Sequence, residues 1–143
     1  MFGFRPNPAA AYAKVGLETG VASADPHRLV LMLYDGALLT ISRAEQALAN
    51  SDIPGKGQAT SKAIEIIENG LKASLDYNVG GDLAIRLGAL YDYMVTRLLH
   101  GNLHNQAAAF AEVHGLLSEL REAWAEIGER QEQRDVPADT LAQ

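Results

Sequence analysis

The chain has 143 residues, 48% of them hydrophobic, with a formal charge of −6 and no cysteine. That length suits one globular domain burying roughly 70% of the surface its unfolded chain exposes, and the absence of thiols excludes disulfides, thiolate zinc sites and cysteine catalysis. The acidic balance argues against nucleic acid or an anionic membrane as the main partner, and no run approaches the ~20 apolar residues of a membrane span.

Residues 1–24 read as an arm. Met1-Phe2-Gly3-Phe4-Arg5-Pro6-Asn7-Pro8 has prolines where a signal peptide needs an unbroken apolar core, so a soluble cytosolic protein is expected. Tyr12 to Thr19 carry a short helical pattern with Tyr12 and Val15 on one side. The arm either packs nowhere, as termini often do, or lies in a groove.

The first long helix is predicted over Pro26–Ala49. Asp25 can cap it and Pro26 fits its first position. Leu29-Val30-Leu31-Met32-Leu33-Tyr34 is uninterrupted, so apolar residues point all round the axis: Leu29, Met32, Leu33 and Gly36 on one stripe, Val30, Tyr34, Ala37 and Ile41 on another. Asn50-Ser51-Asp52 ends it. A second helix starts between Ile53 and Gln58 and again has two stripes, Ile64, Ile67, Leu71 and Leu75 beside Ala63, Ile66, Gly70 and Ala73. Asp76 to Asp82 read as a turn, with Gly80-Gly81 supplying positive φ and Asp82 capping the third helix. That helix carries Leu83, Leu87, Leu90, Met94 and Leu98, with Ile85, Tyr91, Val95 and Leu99 outside the stripe, and is predicted to break at Gly101 to Asn105. The fourth has a single seam of Phe110, Val113, Leu117, Leu120, Trp124 and Ile127, with Glu112, Glu119, Glu122 and Glu126 outside. After Gly128 the sequence turns polar, and residues 130–143 read as a flexible tail.

Helices of similar length joined by short turns imply an all-α fold, an antiparallel up-down four-helix bundle over residues 25–129, preceded by an arm containing a short helix. A bundle protects one stripe of about 100° on each helix. The surplus on the first three helices is therefore expected to cover the arm, a second copy or a foreign chain, each large side chain contributing about 1.5–3 kcal/mol. The alternative is that the first helix is simply the most central.

Signals for catalysis are thin. His100 and His104 stand four apart, but Gly101 and Asn102 between them read as helix-breaking and no Glu follows the first His, so a surface or capping role is expected. His27 and His114 are isolated. Gly55-Lys56-Gly57 lacks the strand and the spacing of a phosphate loop. Asp35, Asp76, Asp82 and Asp92 suit caps and helix-to-helix hydrogen bonds, and Tyr34 and Tyr91, each followed by Asp, suit a partly wet interface. A phosphotransfer bundle would need an exposed His with a basic neighbour, which only His27-Arg28 offers, and a metal protein would need His ligands facing Glu65 and Glu68. No catalytic residue, metal or cofactor is expected.

Ala11-Tyr12 with Val15 and Glu18, Asp25-Pro26-His27-Arg28-Leu29 running into Met32-Leu33-Tyr34-Asp35-Gly36-Ala37, Leu71 to Asp76, Gly80-Gly81-Asp82-Leu83-Ala84, Leu90-Tyr91-Asp92-Tyr93-Met94 and Leu120-Arg121 with Ala123-Trp124 occur in the order found in one family. From Ala11 to about Ile127 the chain resembles the FliS-type flagellar export chaperones. The resemblance implies a non-enzymatic cytosolic chaperone that binds the disordered C-terminal segment of flagellin, prevents premature polymerisation and supports type III export. Other flagellar export components are implied as further partners. It also implies Leu29, Met32, Leu33, Tyr34, Leu83, Leu87, Leu90, Tyr91 and Met94 as candidate client-binding residues, and Tyr12 with Val15 as an arm plug that covers part of that surface when no client is bound. Where the family often has a larger aliphatic before the arm tyrosine, this chain has Ala9-Ala10-Ala11, which implies a weaker plug.

Overall fold

The computed structural model describes residues 25–135, with side chains as far as Arg130. Asp25 accepts from the Arg28 amide at 2.7 Å and Pro26 follows in the first turn, so α1 (Pro26–Ala49) begins where its capping chemistry dictates. After a tight turn with Ser51 at φ +57°, Asp52 caps α2 (Ile53–Glu65) by accepting from the Gly55 amide at 3.0 Å. α2 continues into a π-helical segment (Ile66–Lys72), followed by α3 (Tyr77–His104) and α4 (Ala107–Asp135). No strand occurs among the described residues. The arm, with Tyr12 and Val15, and residues 136–143 lie outside the described residues.

Three boundaries differ from the sequence reading. Asp76, rather than Asp82, caps α3, accepting from Asn78 and Val79 at 3.0 and 3.3 Å, so one turn forms before the glycine pair. The positive φ falls at Gly81 (φ +52°, ψ −130°), a kink inside α3 rather than its start. At the other end α3 does not break at Gly101 but runs to His104, where Asn105 at φ +55° closes it. Gly101 is there for proximity: a Cβ on it would lie 3.1 Å from the Ala109 Cβ and 3.2 Å from the Phe110 ring. α4 carries helical backbone to Asp135, beyond Gly128 and into the segment read as tail.

The helices form a closed ring of neighbours. α1 packs on α2 and α4, α3 packs on α2 with its π segment and on α4, and α1 and α3 face each other across the diagonal. With connections this short, successive helices run antiparallel. The core gathers Leu33, Tyr34 and Ile41 from α1, Ile67 and Leu71 from the π segment, Met94 and Leu98 from α3, and Phe110, Val113 and Leu117 from α4.

This packing absorbs most of the apolar surplus. α1 is the central helix and buries Leu29, Val30, Leu33, Tyr34, Ala37 and Ile41 from both of its stripes. The wider π turn rotates successive residues together, so Ile66 and Ile67, then Gly70 and Leu71, all reach the interior. Most of the surplus expected to go to a partner is therefore used by the core on α1 and α2, where Leu39 and Ile53 stay exposed. More of it survives on α3, where Leu83, Ile85, Leu99 and Leu103 are exposed.

Tyr34 and Tyr91 are core residues rather than parts of a wet interface, because their hydroxyls satisfy each other across the diagonal at 2.7 Å. Burial pushes both phenols above the ordinary tyrosine range, Tyr91 well above it. A tyrosine whose folded pKa is raised ionises first in the unfolded chain. The stability it contributes is complete below pH ~10 and is lost as pH rises toward the folded pKa. Chemical denaturation between pH 8 and 11 should show a decline at the alkaline end that becomes shallower in the Tyr34→Phe/Tyr91→Phe protein. At neutral pH either single Phe substitution should cost about 1–3 kcal/mol by leaving one buried hydroxyl unpaired, and the double should cost less than the sum.

Candidate functional site

The candidate residues separate by depth. Leu29, Leu33, Tyr34, Tyr91 and Met94 are buried, Tyr91 at 2% and Met94 at 0% exposure, and serve the interior of the bundle. Met32, Leu87 and Leu90 are half-buried, and Leu83 is 47% exposed. The accessible candidates thus concentrate on α3.

Contacts between α3 and α4 fix their register. Arg97 Nε donates to Glu112 Oε1 at 2.7 Å, the Tyr93 hydroxyl donates to Glu112 Oε2 at 2.7 Å, and Gly101 abuts Ala109. The hydrogen bond from Tyr93, with Arg97 beside it, holds the Glu112 carboxyl below its ordinary range. Continued by helical geometry, this antiparallel register sets Leu90 level with Leu120 and Leu83 level with Ile127. Leu87, Leu90, Leu116, Leu120 and Ile127 are partly buried hydrophobics resting on the core. Together with Leu83 they form an apolar strip along the α3–α4 contact.

On its other flank α3 is pinned to the π segment by Lys72 Nζ and Asp92 Oδ1 at 2.6 Å, and that flank shows Ile85, Leu99 and Leu103, the last 76% exposed. Sequence reasoning noted Ile85 and Leu99 as apolar residues outside the stripe but did not single out Val79 or Leu103, nor Leu116 of α4, as accessible apolar surface. The available signal was an apolar residue outside the core stripe, which periodicity exposes once the stripe is assigned.

Polar groups brace the remaining faces. Arg121 Nε donates to Asp35 Oδ1 at 2.9 Å across α1 and α4. Below it, the His27 ring stacks on Trp124 with centroids 4.7 Å apart, its Nε2–H donating to the Trp124 carbonyl at 2.6 Å while the indole N–H donates back to the His27 carbonyl at 2.9 Å. His27 is thereby committed to structure, and any side chain at Gly128 would collide with its ring. Lys56, buried at 4% exposure, donates to the Asn102 carbonyl at 2.8 Å and to Asn105 Oδ1, tying the start of α2 to the end of α3 rather than binding phosphate.

An open cleft of about 420 Å³ between α1 and α2 is lined by Thr40, Arg43, Gln46, Asn50, Asp52 and Lys62 together with Ala47 and Ala59. Among the described residues, no group of three or more His, Cys, Asp or Glu is placed to hold a metal ion, and no helix is long and apolar enough to cross a membrane. The exposed α3 face and the strip along the α3–α4 contact are apolar surface that side chains of another molecule can cover.

Comparison with known proteins bears on what that surface serves. A family profile described as "Flagellar protein FliS" matches residues 8–131. The flagellar secretion chaperone FliS of Salmonella typhimurium is 54% identical over 117 residues, covering 82% of this chain and 87% of that protein. The Escherichia coli protein of the same name is 47% identical over 116 residues, with 81% and 85% covered. That of Bacillus subtilis is 39% identical over 118 residues, with 82% and 84% covered.

Proposed function

Because this chain belongs to the FliS family of flagellar proteins, whose relatives are named flagellar secretion chaperones, we propose that it is a cytosolic export chaperone that binds the disordered C-terminal segment of flagellin. It acts without turnover: it covers the client's apolar side chains, keeps flagellin from polymerising early and hands it to the flagellar type III export machinery, whose other components are further partners.

The observation that supports this reading is the accessible apolar surface of α3: Leu83 on the flank toward α4, level with the partly buried Leu120 and Ile127, and Ile85, Leu99 and Leu103 on the opposite flank. A disordered client can lay short amphipathic helices onto such a surface and recover its ordering cost by apolar burial. Leu83, Leu87, Leu90 and Met32 are the contact residues among the original candidates. Of the buried ones, Tyr91 and Met94 support the α3 surface from beneath, whereas Leu29, Leu33 and Tyr34 hold α1 in the interior of the bundle. Tyr12 and Val15 of the arm cover part of it when no client is present.

The test is seeded polymerisation of monomeric flagellin followed by light scattering. One equivalent of the chaperone should suppress filament growth and leave a one-to-one complex on gel filtration. Growth at an unchanged rate, with no complex, would remove flagellin as the client.

A further inference from the structure

His100 and His104 lie in the last turns of α3, and neither the fold nor the proposed client surface uses their rings. The sequence argument against them as a chelating pair was the break expected at Gly101 and Asn102. The helix instead runs unbroken through both, because Gly101 makes room for α4 and Asn105 provides the termination. On a continuous helix, residues four apart stand one above the other. Here the two imidazole centroids are 4.6 Å apart with the planes tilted by 48°.

Both residues are exposed. Unlike His27, neither ring has a hydrogen bond or ion pair among the described residues. The free carbonyls of the final turn give this end of the helix partial negative charge, which favours a cation. Arg97, three residues before His100 on the same helix face, is paired with Glu112 at 2.7 Å, which offsets its charge, and the Lys56 ammonium is held by Asn102 and Asn105 on the core side of α3.

We propose that His100 and His104 form a two-point site for a divalent late-transition-metal ion. Each neutral ring gives one nitrogen lone pair, and water completes the coordination. Imidazole selects copper, nickel or zinc over magnesium or calcium, and among these copper(II) binds most tightly. No third protein ligand is placed to close the site among the described residues, so the ion exchanges readily and keeps open positions. The two rings converge only while residues 100–104 are helical, so the ion also staples the last turn of α3 beside the Gly101–Phe110 contact.

Calorimetric titration of the full-length, untagged chain with CuSO4, ZnCl2 and MgCl2 tests this, alongside His100→Ala, His104→Ala and His114→Ala. The expected result is one equivalent of Cu2+ bound more tightly than Zn2+, and no binding of Mg2+. His100→Ala and His104→Ala should each weaken Cu2+ binding by about tenfold or more, with His114→Ala unchanged. Cu2+ should broaden amide resonances around residues 97–108, and the melting temperature of the wild-type chain should rise with free metal. His100 and His104 are exposed, so their alanine variants should keep the metal-free melting temperature. Absence of saturable binding, or binding that both substitutions leave intact, would overturn the proposal.

Discussion

Phe110→Ala is expected to cost the bundle about 3–5 kcal/mol, a large part of the 5–15 kcal/mol that separates folded from unfolded domains. Phe110 is fully buried where α3 ends and α4 begins, with its ring against the backbone of Gly101. The closeness of the two helices leaves the cavity little room to collapse. Thermal unfolding followed by circular dichroism should show a fall of roughly 10–20 °C. Leu103→Ala, also near this corner but 76% exposed, should stay within about 0.5 kcal/mol of the parent. A loss below about 1 kcal/mol for Phe110→Ala would mean that this corner does not hold the bundle together.

Leu83→Asp combined with Leu90→Asp should weaken binding of the flagellin C-terminal segment by about a hundredfold or more, equivalent to about 2.7 kcal/mol. Leu83 is half exposed, so a carboxylate there stays solvated in the free protein, while Leu90 is half-buried against the core and its replacement also lowers stability, which thermal unfolding of the variant measures alongside binding. Once a client covers them, both carboxylates are desolvated without a cation partner, and that further cost falls on the complex. Competition fluorescence with a labelled C-terminal flagellin peptide measures the change. Unaltered affinity in a variant with parental helicity would move the client off the α3–α4 strip.

The bundle was legible in the sequence because capping chemistry and periodicity agreed along most of the chain. Asp25-Pro26 and the Phe110 to Ile127 seam gave elements that the structure reproduces. The π segment was not legible, since nothing in Ile66-Ile67 separates a π turn from a helix with two apolar stripes. That is why surplus surface was assigned to α2, and why the central position of α1 could only be one of two readings. Gly101 misled for a related reason: a glycine that ends a helix and a glycine that admits a neighbouring helix look alike until the neighbour is placed. Half of the candidate site shared this ambiguity. Leu83 and Met94 fall on one stripe of α3, yet one is exposed and the other has no accessible surface, because Leu83 stands near the start of the helix, two residues after the Gly81 kink, and Met94 at its middle.

The central claim is that the accessible apolar surface of α3 receives a disordered flagellin segment that folds upon it. Isothermal titration with a peptide of the last ~40 residues of the cognate flagellin, repeated over a range of temperatures, addresses both parts at once. One-to-one binding with a large negative heat-capacity change is the predicted result. Absence of binding to the folded protein, or binding with a heat-capacity change near zero, would contradict it.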